Sequence, residues 1–394
     1  MVRCIVETGA ILVGKTNMDQ FATGLVGTRT SYGACASVVS SEHVSGGSSS
    51  GSAVAVAAGI VSFALGTDTA GSGRVPVAFN AIVWLKPTIG RLSTGGVLPA
   101  CRTLDCVSIF TRDAADADAV LAAADCFDPA DPFARQVPVP APTDGHWALA
   151  CHARRTSLNS TTRAAGPGGR RAPGSQRSPT SSSRSTSARS CRWLGCSTRA
   201  PGWPSDTRPL ASSSSARTSM WTRPSGRSCL AARSCSAADA FRGLYRLAEL
   251  RRTTEAVWER IDVLALPTAP THPTHAEVAA DPVGVNARLG TWTNFVNLLD
   301  LAAVAAPAAP RDDGLPFGVT FTAPAWSYSS LLGLAAALER AVDPEIDVAV
   351  VGAHLSGMAR NRELIERGAR LVRSTRTASC DRLFDLAAAR GASA

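Results

Sequence analysis

Gly46-Gly47-Ser48-Ser49-Ser50-Gly51-Ser52-Ala53-Val54-Ala55-Val56, then Gly66-Thr67-Asp68-Thr69-Ala70-Gly71-Ser72-Gly73, is the stretch on which the reading of this chain turns. Ser48 and Ser72 stand 24 residues apart, each set among glycines. Residues 53–60 between them are small and apolar, which predicts a tightly packed helix with its N-terminal N–H groups turned back to the serine cluster. Val61-Ser62-Phe63-Ala64-Leu65 is a short apolar run closed by Gly66, the pattern of a buried strand that ends at the second serine. Ser72 then falls in a turn. Glycines on either side let a substrate carbonyl approach, and successive N–H groups from Thr69 to Ser72 can converge on a developing oxyanion. Such a constellation points to acyl transfer.

These residues resemble the amidase signature family. There the nucleophile ends a Gly-Thr-Asp-x-x-Gly-Ser segment, which falls on Ser72, and a bridging serine opens Gly-Gly-Ser-Ser, which falls on Ser48. The resemblance implies an α/β fold, a mixed twisted β-sheet flanked by helices on both faces. It also implies a mechanism: a buried neutral lysine draws a proton through Ser48, held by a cis peptide bond, and so activates Ser72. The N–H groups of Thr69, Ala70 and Gly71 then hold the oxyanion. The family's lysine lies further upstream of the bridging serine than the 47 residues before Ser48, so it is expected outside this sequence, and little activity is expected of the chain as written. Lys15, within Ile11-Leu12-Val13-Gly14-Lys15-Thr16-Asn17-Met18-Asp19-Gln20-Phe21-Ala22, resembles a block that follows a strand near the site and has no assigned proton transfer.

A narrower resemblance, to the allophanate hydrolases of that family, is carried by Ser45–Val56, Arg74–Asn80, Leu98–Phe110, Leu264–Pro270, the stretch from Asp281 to Asp300, and Leu315–Thr320. General amidases and glutamyl-tRNA transamidating subunits usually have Gly-Pro soon after Leu-Asp, where this chain has Cys106-Val107-Ser108. The implied substrate is an anionic amide, and Arg288, whose planar fork can bind both carboxylate oxygens, is the candidate to hold it; a surface ion pair is the competing reading. Trp84 stands where the family has glycine, and strain is expected there if that glycine touches backbone or has positive φ. From Asp347 the chain resembles the opening of the second domain of allophanate hydrolases, with His354 as its candidate site histidine. No cofactor or metal is implied.

Other motifs fail on context. Gly47-Ser48-Ser49-Ser50-Gly51 fits a nucleophile elbow with Ser49 as nucleophile, but the polar residues 40–45 make no preceding strand. Gly9-Ala10-Ile11-Leu12-Val13-Gly14-Lys15-Thr16 fits a phosphate loop formally, yet Ala10–Val13 is an apolar, strand-like run where that motif needs an open Gly-rich loop.

Composition adds a second theme. Residues 151–235 hold 15 Arg, 20 Ser and a single acid, Asp206, a formal +14 that leaves the rest of the chain at −5 against +9 overall. That stretch lacks helix or strand periodicity and is read as disordered or non-native. One explanation is a basic arm that binds nucleic acid, the rival from another functional class. The preferred one is a frameshift. Only Lys15 and Lys86 of the 40 basic residues are lysine, a sign of GC-rich codons, and such DNA read out of frame yields Arg, Ser, Pro, Ala and Gly. The family pattern fades near Ala150 and returns near Ser236. The organisation read from sequence is therefore an amidase block over 1–147, the out-of-frame segment over 148–235, a second amidase block over 236–345, and a truncated second domain over 347–394.

Eleven cysteines, no signal peptide and no Cys-x-x-Cys pair argue against a disulfide framework or a zinc site. The six histidines are too dispersed to form a ligand set. No apolar run approaches the ~20 residues of a membrane span. The expectation is a cytoplasmic enzyme acting on a small-molecule amide, without nucleic acid or membrane partner and compatible with a homodimer.

Overall fold

The computed structural model describes residues 1–138, 149–151 and 236–342, with 362 and 365. The chain divides into two compact units, Met1–Pro344 and Glu345–Ala394, and the described fold is the first. Residues 152–235 and His354 lie outside the described residues.

Side chains of a strand point alternately to its two faces, and here both faces are apolar. In β2 (Val83–Lys86), Val83 and Leu85 enter one hydrophobic cluster and Trp84 the other. β3 (Cys106–Thr111) divides Val107 and Ile109 from Phe110, and β6 (Ala302–Ala308) divides Ala302, Val304 and Ala306 from Ala303 and Ala305. Helices α4 (Ala114–Ala124) and α9 (Tyr328–Val342) close the first face through Ala117, Leu121, Leu331 and Ala335. The second face is closed by Ala53 and Val56 of α2 (Ser50–Ala57), Val77 of α3 (Arg74–Asn80), and Phe295 and Val296 of α8 (Phe295–Leu298). A sheet covered on both faces reads as continuous apolar runs, as these strands do.

The strand order is β1-β3-β2-β6-β7-β5-β4, with β1 (Phe63–Asp68), β4 (Leu149–Cys151), β5 (Val263–Pro267) and β7 (Phe317–Ala323). Every pairing is antiparallel except β4 with β5, so the sheet is mixed. The seam between β2 and β6 joins residues from before position 139 to residues from after position 235, with Trp84 opposite Ala305 and Lys86 opposite Ala303. This pairing explains how the indole is accommodated. Trp84 is fully buried with negative φ, and the alanines beside it on β6 leave the volume it fills.

Three features depart from expectation. α2 begins at Ser50, three residues early, because Ser49 and not a later residue is its N-cap. Ile11, Leu12 and Val13 form no strand and are exposed: the run has an apolar sequence but no strand beside it among the described residues. Cys4 and Cys126 are joined in a disulfide, contrary to the cysteine argument, because α1 (Val2–Glu7) packs against α4 and brings together two thiols 122 residues apart. Spacing alone cannot reveal that pairing. Ser236, where the family pattern was expected to resume, is the N-cap of α5 (Ala237–Trp258), in a reciprocal capping box with Asp239.

Candidate active site

The serine run is sorted by its hydrogen bonds. Ser49 Oγ contacts both the carbonyl and the N–H of Thr67 at 3.3 Å, Ser50 Oγ donates to the Asn17 carbonyl at 3.4 Å, and Ser52 Oγ donates to the Leu65 carbonyl at 2.8 Å. These three hydroxyls tie α2 to β1 and to the segment before it. Ser48 differs: its Oγ is buried and has no hydrogen-bond partner among the described residues. The peptide bond between Gly47 and Ser48 is cis, as the resemblance implies.

Asp19 holds that peptide. Its N–H donates to the Ser48 carbonyl at 2.9 Å, and its carboxylate accepts the N–H groups of Gly27 at 3.0 Å and Arg29 at 2.7 Å. A Cβ on Gly47 would run into the same carboxylate, so the close approach requires glycine there. Burial raises the Asp19 carboxyl above its ordinary pKa, and the backbone donors only partly oppose it. The block around Lys15 thus acts as a brace for Ser48. Lys15 itself is exposed.

β1 ends at Asp68, and the loop that follows brings Ser72 against the first serine segment, with the Ser49 N–H donating to the Ser72 carbonyl at 3.1 Å. Asp68 organises the turn. It accepts the N–H groups of Gly71 at 2.9 Å and Gly73 at 3.1 Å, and the Arg74 guanidinium through Nη2 at 2.9 Å and Nε at 3.2 Å. Burial alone would raise this carboxyl, but Arg74 and the backbone donors outweigh it and hold Asp68 below the usual carboxylate range. Gly71, expected among the oxyanion donors, therefore has its N–H turned inward to a buried anion, at φ +122° with Thr293 filling the Cβ side. The N–H groups of Thr69, Ala70 and Ser72 are given to no acceptor among the described residues.

Three residues that sequence reasoning did not single out buttress this loop. Thr293 Oγ1 donates to the Ala70 carbonyl at 2.7 Å, and its own carbonyl accepts from Arg74 Nη1 at 2.8 Å. Asn297 Nδ2 donates to the carbonyls of Asp68 and Leu104 at 2.7 and 2.9 Å. Asp105 accepts from Thr69 Oγ1 at 2.6 Å and from the N–H groups of Ala100 and Cys101. Their one sequence signal is that they fall within stretches that carry the family resemblance. Trp84 also reaches the site: its Nε1, buried and without a partner among the described residues, abuts the Cβ side of Gly73.

Two basic side chains make no hydrogen bond to this loop. Lys86 is buried and donates to the carbonyls of Leu301 at 2.8 Å and Pro87 at 3.2 Å, and burial lowers its pKa. Arg288, on α7 (Gly284–Leu289), is 59% exposed with Nη1 3.6 Å from Asp281. The structure thus brings Ser48, Ser72, Thr69 and Ala70 to one place and shows Arg288 in a surface ion pair.

Buried paired serines, an unpartnered hydroxyl and N–H groups without acceptors among the described residues thus meet in one glycine-rich loop region. The chain belongs to the amidase family, whose match covers residues 1–153 and 212–332, and residues 346–393 match the allophanate hydrolase C-terminal domain. The urea amidolyase of Saccharomyces cerevisiae is 37% identical over 436 aligned residues, taking in 98% of this chain and 23% of that protein. The structure of the Kluyveromyces lactis allophanate hydrolase superposes with a TM-score of 0.71 at 32% identity, over 93% of this chain and 65% of that chain. The glutamyl-tRNA(Gln) amidotransferase subunit from Thermotoga maritima shares the fold, with a TM-score of 0.64 at 22% identity over 88% of this chain and 76% of that chain. The chain therefore spans about a quarter of the first relative and under two thirds of the solved allophanate hydrolase.

Proposed function

We propose that this chain carries the amide-cleaving site of an allophanate hydrolase. The observation that carries the reading is the Ser48 hydroxyl, which lies buried and unpartnered beside the Ser72 turn. A group so placed is suited to relay a proton, and an orphaned buried hydroxyl otherwise costs about 1–3 kcal/mol. In the reaction Ser72 Oγ bonds to the amide carbonyl carbon while its proton passes to Ser48, whose own proton passes to a neutral amine. The C–N bond breaks as that proton reaches the leaving nitrogen, ammonia departs, and water releases the acyl group from Ser72. Neither Lys15, which is exposed, nor Lys86, committed to two carbonyls, is placed to be the amine. Thr69, Ala70 and Ser72 supply the oxyanion donors in place of the expected set with Gly71. The urea amidolyase and allophanate hydrolase relatives support allophanate as the amide.

The test, made on a chain that also carries the lysine expected upstream and an in-frame middle, is an intact-mass search for an acyl adduct, alongside ammonia release from allophanate and from neutral amides. An adduct on Ser72 that is lost in Ser72→Ala and Ser48→Ala, and kept in Lys15→Ala, supports the assignment. An adduct on Ser49 overturns it.

We infer also that the Arg/Ser-rich middle is an out-of-frame translation of family sequence. In support, the family match breaks off at residue 153 and resumes at residue 212, inside the Arg/Ser-rich stretch and before Ser236. Translating the coding DNA between codons 147 and 236 in its other two frames should give helix-periodic sequence with Glu, Leu and Tyr. If neither frame is more globular than the one expressed, the inference is wrong.

A further inference from the structure

His272, one of the six histidines that form no ligand set, has no part in the mechanism above, yet it lies at the entry to the serine segment. It stands in the loop between β5 and α6 (His275–Ala280) and is 6% exposed. That loop runs beside the chain that leads into Ser48. The Val44 N–H donates to the Pro273 carbonyl at 3.1 Å, the His275 N–H donates to the Glu42 carbonyl at 3.0 Å, and His43 and Thr274 pair in an antiparallel bridge. Residues from beyond position 235 therefore hold the backbone just ahead of Ser48.

The imidazole completes this grip in two ways. Its Nε2 lies 2.9 Å from the Val44 carbonyl, which can only accept, so Nε2 carries the proton. Burial pushes the ring's pKa down to about 4, so at neutral pH the imidazole is uncharged and has that one N–H to give. Nδ1 is then bare, and it has no partner among the described residues. The face of the ring lies on Phe79 of α3, with centroids 3.9 Å apart and planes 9° from parallel. Phe79 in turn covers Gly46, which has φ +74° and has the phenyl ring 3.0 Å from where a Cβ would stand. One side chain thus acts on both ends of Val44-Ser45-Gly46, the run that leads into the cis Gly47–Ser48 peptide. Val44 is fully buried, so loss of the imidazole donor leaves its carbonyl where water does not replace the bond.

We propose that His272 is a positioning residue for Ser48, fixing through Val44 and Phe79 the backbone from which that hydroxyl is presented to Ser72. The inference rests on the amidase reading and deepens it by tying the relay serine to a side chain of the downstream block. His272 acts through other residues and touches no reacting atom.

Two substitutions separate the contacts of the ring. His272→Gln keeps a donor near the Nε2 position without the stack, and His272→Phe keeps a stacking ring without the donor. In the chain completed with the upstream lysine and an in-frame middle, His272→Phe should lower kcat for ammonia release roughly tenfold at unchanged KM, while His272→Gln retains most of the wild-type value. An unaltered kcat in His272→Phe overturns the proposal, as does a loss carried by KM or a glutamine variant no better than the phenylalanine one. The chain as it stands gives a second reading that needs neither turnover nor a variant that folds: the ring-nitrogen NMR signals of His272 at pH 7, assigned through its contact with Phe79. A protonated Nε2 with a bare Nδ1 supports the bond to Val44, and the opposite tautomer overturns it. Failure of the amidase reading looks different: the completed wild-type chain releases no ammonia and forms no adduct on Ser72 while the ring signals are as expected, and the proposal falls with that reading.

Discussion

Replacing Arg74 by methionine isolates the electrostatic core of the turn that carries Ser72. Asp68 and Arg74 are both fully buried, and their pairing is supplemented by Arg74 donors to the Thr293 carbonyl and the Asn297 side chain. Methionine keeps much of the volume but leaves the Asp68 carboxylate with only the Gly71 and Gly73 N–H groups. Removing one partner of a buried pair strands a charge and costs roughly 3–5 kcal/mol. At an m-value on the order of 3 kcal/mol/M, the urea midpoint should fall by about 1–2 M. The effect should depend on pH. Asp68 has a folded-state pKa below its unfolded value, so its contribution is fully present above about pH 4 and is lost as pH falls through the lower folded value. In Arg74→Met the stranded carboxyl takes up a proton more readily, so the gap to wild type should close on acidification. Urea titrations followed by far-UV circular dichroism at pH 7 and pH 3 read both effects. A loss under about 1 kcal/mol at pH 7, or a gap that is the same at both pH values, would mean that no charge is stranded at Asp68.

Three other outcomes are expected. Gly73→Ala drives a methyl into the Trp84 indole and should destabilise by roughly 1–3 kcal/mol, and adding Trp84→Leu should recover part of that; additive effects in a double-mutant cycle would show that the two do not touch. Glu339, whose carboxylate accepts the Ala114 N–H at the start of α4, is pushed up to about 7 by burial, so its stabilisation is present below its unfolded pKa and is lost as pH rises through about 7. Glu339→Gln should therefore be the more stable protein at pH 8, by about 1 kcal/mol once partial solvent exposure is discounted, with no such advantage at pH 5; urea titrations at the two values check this. Reducing Cys4–Cys126 should cost about 2–4 kcal/mol, and a non-reduced peptide map without that linkage would remove the basis for expecting it.

How far the sequence could be read depended on whether a residue's role is local. β1 and the meeting of the two serine segments were legible because glycine-flanked serines and a short apolar run are patterns contained within a few residues. The α2 start was misjudged by three residues because serine serves both as N-cap and as a first-turn residue, and composition does not say which. Ile11–Val13 misled because apolarity records a capacity for burial, while burial itself needs a neighbouring element. Asp19, Asp105, Thr293 and Asn297 were silent for a related reason: each acts by binding backbone that is close in space, up to 229 residues away in sequence in the case of Asn297 and Asp68. Gly71 was assigned an outward N–H by resemblance, and only the position of the Asp68 carboxylate shows that it points in. Trp84 was uninterpretable without its β6 neighbours, since whether an indole fits depends on the two alanines beside it.

The β2–β6 seam bears on how much of this chain the fold requires to be continuous. Strands from before residue 139 and after residue 235 meet edge to edge at that seam, and the hydrophobic clusters on both faces of the sheet draw residues from either side. Lengthening or rewriting the connection between the two sides changes their effective local concentration only weakly, by about 0.6 kcal/mol for each doubling of loop length. Each side therefore depends on residues of the other to bury both faces of the sheet.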